Sequence, residues 1–232
     1  MKKDLKNQQF STSEKPSAEL AVPAAVIRRL PHYHRYLGEL LAQGTSRISS
    51  LALAGMMGVT ASQIRQDLNC FGSFGQQGYG YNVGYLYTQI SELLGVNEGY
   101  QAIIVGAGNL GRALVSSHMF ERRGVTRLAM FDVAEELVGQ SFSGVPVYHI
   151  DSLEEFCASN RVEIGVLTTP KDAAEEIAHR LASAGVPGIW NFSNMALKSD
   201  DPDVIIENMH MGDSLLALCY ALSSKSNEKR KL

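Results

Sequence analysis

Three glycines at Gly106, Gly108 and Gly111, an acid at Asp132 and a threonine pair at Thr168 and Thr169 are the residues whose types and spacing promise chemistry, and that chemistry is the holding of a dinucleotide. In IIVGAGNLG, Gly106 permits a tight turn, Gly108 lets the backbone approach a pyrophosphate, and Gly111 lets helix and strand pack closely. Ala107, Asn109 and Leu110 lie between them at the start of a helix whose N-terminus supplies donors and positive potential. A bare GxGxxG is weak evidence, but here the apolar run Ala102–Val105 precedes it and the helix-like RALVSSHMF follows. Asp132 ends RLAMFD, 21 residues after Gly111, where a carboxylate accepts hydrogen bonds from ribose hydroxyls and repels a 2′-phosphate, which points to NAD(H). LTTP, at 167–170, falls at the carboxyl end of a strand, where ligands of open α/β sheets bind. The plainer alternatives are an aspartate that caps a βα turn and threonines that merely end a strand.

The elements needed to position these residues are legible. Strands are predicted over Val145–Tyr148, Glu163–Leu167, Gly188–Asn191 and Val204–Asn208, and helices over Asp151–Ser159 and Asp172–Ala184. Short apolar strands alternating with helices imply a mainly parallel, doubly wound Rossmann-like sheet. A last helix, Asp213–Leu222, contains LLALCYAL, too apolar to leave exposed; it should cover the core or a second subunit.

Ahead of this lies a different kind of module. Pro23 suits a first helical turn, and Val26, Ile27, Leu30, Tyr33, Leu37, Leu40 and Leu41 recur at helical spacing, with Pro31 dividing or bending the pattern. Ser49 or Ser50 can cap a second helix, Leu51–Met57, ended by Gly58. Thr60 or Ser62 can start a third, in which Ile64 and Leu68 face inward while Ser62, Gln63, Arg65, Gln66 and Asn69 face outward. Two helices about a Gly-containing turn, the second with a hydrogen-bonding outer face, form a helix-turn-helix pattern that any small helical domain can also show. FGSFGQQGYGYN then suits two short strands with a turn at Gln76-Gln77-Gly78, as in a wing, or else a glycine loop packed by Phe71, Phe74 and Tyr79. A helix over Val83–Leu94 and a linker at Asn97-Glu98-Gly99 complete the module.

The 232 residues, 45% of them hydrophobic, suffice for two cores. The expected partition is a disordered tail at 1–20, a winged helix-turn-helix domain at 21–97, a nucleotide domain at 98–208, a C-terminal helix at 209–223 and a second tail at 224–232. No stretch reaches the roughly 20 apolar residues of a membrane span, and the polar N-terminus has no apolar signal core, so a cytoplasmic protein without membrane attachment is expected. Cys70, Cys157 and Cys219 are too far apart for metal-ligand spacing, so no metal site and reduced thiols are expected. Cys70, beside the wing, reads as a small buried hydrophobe before it reads as a redox sensor. The net charge of −3 hides an asymmetry: residues 1–95 hold nine basic against six acidic groups, +3, and the remainder twelve against eighteen, −6. That favours a polyanionic partner for the N-terminal module, with a dimer to double its modest cationic surface.

The run VPAAVIRRLPHYHRYL, RISS, TASQIRQDLNCFGSFGQQGYGYNV, VGAGNLG, LTTP and GIWNF closely resembles the bacterial Rex family of redox-sensing repressors, over about Val22–Tyr220. The resemblance implies a winged-helix domain, a Rossmann domain that binds NADH or NAD⁺, and a homodimer with its C-terminal helix swapped toward the partner. It implies repression at double-stranded inverted-repeat operators, relieved when NADH rises. By position it implies Ser62, Gln63, Arg65 and Gln66 at the major groove, with Arg29 and Arg47 near phosphates; from residue type alone Arg28 and Arg29 are a solvated helix face. Gln76 and Gln77 stand where many members have basic wing residues, which implies backbone and amide contacts at the wing. The arginine corresponding to Arg35 pairs in several members with a tyrosine and an aspartate whose places here are taken by Ser117 and His210. His210 or Asp213 is the candidate replacement.

Two rival functions share parts of this pattern. An NAD-dependent oxidoreductase needs a proton-transfer group and a substrate domain; His149, His179, His210 and Lys171 qualify only by type, and the N-terminal module takes up the length a substrate domain would need. A regulator sensing another adenine nucleotide or coenzyme A would use the same cradle.

Overall fold

The computed structural model describes residues 22–70, 75–76 and 80–229. The expected N-terminal tail, Gln77, the turn residue Gly78 and the aromatics Phe71, Phe74 and Tyr79 lie outside these residues. The chain divides into two compact units, with the boundary between Leu94 and Gly95.

In the first unit, α1 (Ala24–Ile27) and α2 (Leu30–Ala42) are separated at Arg28-Arg29 because Pro31 sits in the first turn of α2, where its missing amide costs nothing. There follow β1 (Arg47–Ile48), α3 (Ser50–Met57), α4 (Ala61–Asn69), β2 (Gly75–Gln76), β3 (Gly80–Asn82) and α5 (Val83–Leu93). Of the two possible caps at each helix start, Ser49 accepts from Ala52 N at 3.1 Å and Thr60 from Gln63 N at 3.1 Å; Gly58, at φ 68°, closes α3 in the left-handed conformation. Tyr33, Leu37, Leu53, Ile64, Leu68, Leu86 and Ile90 are buried together, so the apolar faces of α2, α3, α4 and α5 make one core. The small sheet has the order β1-β3-β2, all antiparallel. Two wing strands were expected; the third, β1, is only two residues of RISS and gives no periodic signal, yet it anchors β3 to the helices.

The second unit contains β4 (Gln101–Val105), α6 (Asn109–Val115), β5 (Thr126–Asp132), β6 (Ser141–Phe142), β7 (Val145–His149), α7 (Leu153–Ser159), β8 (Ile164–Leu167), α8 (Lys171–Ser183), β9 (Gly188–Asn191), β10 (Ile205–Asn208) and α9 (Met211–Lys229). The sheet order is β10-β9-β8-β4-β5-β7-β6, parallel throughout except for the edge hairpin β6-β7. Residues alternate between its faces. Ile103, Val105, Ala129 and Phe131 pack under α7 and α8, while Ile104, Met130 and Val166 pack with α6 on the other side, giving three layers. From β4 the chain runs outward through β5 to β7, then returns to β8 on the opposite side. The order therefore reverses between β4 and β8, and the connections that leave their carboxyl ends run to opposite sides, which opens a crevice there.

The last helix departs from expectation in its length. It continues to Lys229, through a stretch expected as a solvated tail, because SSKSNEK holds neither glycine nor proline. Of the two coverings expected for its apolar residues, the chain's own core is not the one used, since Met211, Leu215, Leu216, Leu218, Tyr220 and Leu222 are exposed.

Candidate nucleotide site and DNA-facing helix

At the crevice between β4 and β8 lies a cavity of about 590 Å³, lined by Gly106, Gly108, Asp132, Val133, Thr168 and Thr169 among others. Each glycine of the turn has a separate reason to lack a side chain. Gly106 has φ 103°, and a Cβ there would lie 2.8 Å from Thr168 Oγ1. A Cβ on Gly111 would stand 2.0 Å from the Gly106 carbonyl oxygen, so that glycine is the close contact of helix on turn. Gly108 has ordinary φ and ψ of −71° and −169°, and a Cβ on it would meet nothing within 4 Å. Its bareness serves neither backbone nor packing, and it opens onto the cavity. Asn109 and Leu110 form the first turn of α6, which starts without a side-chain cap. Backbone donors are thus left at the place where a phosphate needs them.

Asp132, at the end of β5, accepts from Ala107 N at 2.6 Å and from Ala134 N at 3.0 Å. A carboxylate offers about four acceptor positions, so this clamp orients the group and leaves room for two ribose hydroxyls. The two threonines, alike in sequence, have different situations. Thr168 Oγ1 donates to the Gly106 carbonyl at 2.8 Å and locks the glycine turn onto β8. Thr169 Oγ1 is buried with no partner, an unsatisfied hydroxyl at the wall of the cavity. The glycine with an open Cβ direction, the uncapped helix start, the oriented carboxylate and the orphan hydroxyl all suit a dinucleotide. Val133, 71% exposed beside Asp132, and Ile150 add an apolar wall that sequence reading missed, although a valine left bare directly after the acid is a usable signal.

In the first unit, α4 turns Ser62, Arg65, Gln66 and Asn69 to solvent and buries Ile64 and Leu68. Arg65 Nη1 donates to Ser50 Oγ at 3.1 Å, tying α4 to the start of α3. Arg47 is exposed on β1, opposite Asn82. Gln63 and Arg29 are drawn inward instead. Asp67, 1% exposed, accepts from Arg29 Nε at 2.6 Å and Nη2 at 2.7 Å, from Tyr33 Oη at 2.8 Å and from Gln63 Nε2 at 2.8 Å. Burial pushes this carboxyl up, but the hydrogen bonds from Arg29, Gln63 and Tyr33 outweigh it and hold the pKa below the ordinary value. Tyr33 is pushed up, by burial first and then by its bond to Asp67. Sequence reading missed the cluster, yet Ile64, Asp67 and Leu68 stand at i, i+3 and i+4, which places an acid on the apolar stripe.

Arg35 is exposed with its guanidinium 4.9 Å from the centroid of the Tyr36 ring. Ser117 Oγ accepts from Met119 N at 3.2 Å. His210 and Asp213 are exposed at the head of α9, where Asp213 N donates to the His210 carbonyl at 3.2 Å. All three cysteines are free: Cys157 is buried, which pushes its thiol up, Cys70 is half-buried and Cys219 lies exposed on α9. Among the described residues there is no metal-binding cluster, and no helix is long and apolar enough to cross a membrane.

Comparison with known proteins matches residues 21–69 to a model described as a putative DNA-binding protein N-terminus, and residues 97–195 to a CoA binding domain. The chain is 50% identical over 214 residues to the redox-sensing transcriptional repressor Rex of Thermoanaerobacter sp. (strain X514), covering 92% of this chain and 95% of the relative. It is 46% identical over 201 residues to Rex of Clostridium botulinum (strain Alaska E43 / Type E3), covering 87% and 95%. It is similar to the crystal structure of RSP in complex with β-NAD⁺ and operator DNA, at 49% identity and TM-score 0.83 over 90% of this chain and 96% of that one. The structure of RSP in complex with β-NADH is similar at 46% identity and TM-score 0.84, over 91% and 99%.

Proposed function

The chain belongs to the Rex family of redox-sensing transcriptional repressors, and on that premise we propose that it binds inverted-repeat operators as a homodimer and leaves them when NADH rises relative to NAD⁺. The observation that carries this reading is the presence in one chain of an exposed polar helix face on a three-stranded winged unit and a glycine-walled crevice at a sheet reversal.

Gly106, Ala107, Gly108, Asn109, Leu110 and Gly111 present backbone to the pyrophosphate, Asp132 takes the adenosine ribose, and Thr168 and Thr169 wall the crevice toward the rest of the coenzyme. Bound coenzyme supplies the signal, because its oxidised and reduced nicotinamides differ in charge and shape. Ser62, Gln63, Arg65 and Gln66 face the major groove, Gln77 is assigned to DNA contact by its place in the sequence alone, and Arg47 neutralises phosphate. Arg29 spends one edge of its guanidinium on Asp67 and keeps the other for phosphate. The bare apolar side of α9 pairs with a second copy of the chain in a closed two-fold dimer, the commonest way such a surface is covered in a cytoplasmic protein. A ligand shifts an equilibrium only through differential affinity, so the two coenzyme forms must favour different arrangements of that dimer. His210 and Asp213 at the head of α9, with Arg35 on α2, are the groups proposed to register the difference, since the tyrosine and aspartate of the familiar latch are Ser117 and His210 here.

The test is titration of an operator fragment complex with each nucleotide. NADH should release the DNA at concentrations where NAD⁺ does not; equal release by both removes the redox-sensing function. The match to a CoA binding domain favours one alternative, a coenzyme A sensor. Asp132 opposes it, because coenzyme A carries a phosphate on the ribose. Thermal shifts with NADH, NADPH, NAD⁺, ATP and coenzyme A should be largest for NADH.

A further inference from the structure

We propose that buried Asp67 is the positioning residue for base reading by Gln63, holding its amide in the one orientation that recognises adenine. The inference rests on the reading that α4 enters the major groove.

Thr60 and Gln63 have the T-x-x-Q spacing of a capping box, in which the glutamine side chain returns to the cap amide. Only half of that box is formed. Thr60 Oγ1 accepts from Gln63 N, but the Gln63 amide runs forward one turn to Asp67 Oδ1 at 2.8 Å. The Arg29 guanidinium bonds both Asp67 oxygens and keeps the carboxyl ionised, and an ionised carboxyl accepts only. The amide nitrogen of Gln63 therefore must face Asp67. Its oxygen is turned away, leaving on the free edge one acceptor beside one remaining N–H donor.

Adenine presents an N6 donor next to the N7 acceptor in the major groove, which that edge matches. Guanine presents two acceptors, O6 and N7, and would set one against the Gln63 oxygen. A freely rotating glutamine would have to be ordered on binding, whereas this one is ordered already. Neighbouring Gln66 is exposed on the same helix. Arg29 and Tyr33, both on or beside α2, thus act on base choice from behind the reading helix, through Asp67.

The test is selection from duplexes randomised over about 20 base pairs. Full-length protein is used as wild type, Gln63→Ala, Asp67→Asn and the combined variant, each checked for cooperative unfolding. Wild type should enrich an inverted repeat in which one position per half-site favours adenine over guanine by about tenfold. Gln63→Ala should erase that preference at that position alone. Asp67→Asn should reduce it there to about twofold, with the combined variant no worse than Gln63→Ala. An Asp67→Asn protein that folds and keeps the preference, or weakens every position equally, overturns the inference. So does a Gln63→Ala protein with an unchanged preference. Should Asp67→Asn fail to fold, side-chain ¹⁵N relaxation of the wild type decides: the Gln63 amide should be markedly more ordered than that of Gln66, and equal mobility overturns the proposal. Failure of wild type to enrich any repeat overturns the DNA-binding reading itself, whereas an enriched repeat with unaltered variant profiles overturns this inference alone.

Discussion

The two units of the chain build their working surfaces by opposite means. The cradle between β4 and β8 is made of backbone: glycines that must lack a Cβ, carbonyls and amides in fixed places, and a carboxylate held by two main-chain N–H groups. Helix α4, the proposed reading helix, is held from within by an ion pair whose carboxylate is buried, with neutral hydrogen bonds around it. A backbone cradle fails by steric intrusion. A buried charge network fails when one partner is removed or neutralised, since the survivor is left uncompensated in a poor dielectric.

The sharpest way to break the comparison is Arg29→Met. It strands the Asp67 carboxylate, and the winged unit should lose about 3–5 kcal/mol, most of what a domain of this size has to spare. Thermal unfolding should then show an early transition that abolishes operator binding, while NADH titration of the same protein remains normal. A single, unshifted transition would mean that the network contributes nothing. Acid should reproduce the effect more gently in wild type. Because the folded-state pKa of Asp67 lies below its ordinary value, its contribution is complete above the ordinary carboxylate range, about 4, and drains away as the pH falls through the folded value. The winged unit should therefore lose stability on acidification, and that part of the loss should be missing from an Arg29→Met/Asp67→Leu protein.

The glycines allow a cleaner division on the other side. Gly111→Val drives a side chain into the Gly106 carbonyl and should cost the C-terminal unit about 3 kcal/mol, with nucleotide binding lost along with its stability. Gly108→Ala adds a Cβ that meets nothing within 4 Å and sits at ordinary φ and ψ, so it should alter stability by no more than about 0.5 kcal/mol while lowering NADH affinity sharply. Calorimetry beside fluorescence titration separates the two. Equal damage from both substitutions would mean that Gly108, too, is there for packing.

Much of this was legible because it depends on local spacing. The GxGxxG turn, Asp132 and the strand-helix alternation are all short-range patterns, and residues 101–191 fold much as their periodicity predicts. The break before Pro31 and the inward face of Ile64 and Leu68 follow from the same local rules, which narrowed each cap to two residues without choosing between them. What stayed hidden depends on partners distant in sequence. Asp67 meets Arg29 across 38 positions and Tyr33 across 34, and β1 exists only because β3 passes beside it. Arg29 was read as a solvated or phosphate-facing cation for the same reason, since nothing near it announces a buried acid.

The two adjacent threonines give the finest contrast, because one hydroxyl supports the turn and the other has no hydrogen-bond partner in the protein. Thr168 spends its Oγ1 on the Gly106 carbonyl, whereas Thr169 holds its Oγ1 out of water with no partner. Thr169→Val replaces that hydroxyl with a methyl of the same shape. In the ligand-free protein it should remove an unmet desolvation cost and raise stability by up to about 1 kcal/mol. With NADH the sign should reverse, affinity falling by as much as about tenfold as a hydrogen bond to the coenzyme is lost. Melting curves with and without NADH read both arms in one experiment, with the variant melting higher alone and gaining less from the ligand. If it melts higher and gains as much as wild type, Thr169 contributes only shape to the cradle wall, and the backbone alone does the holding.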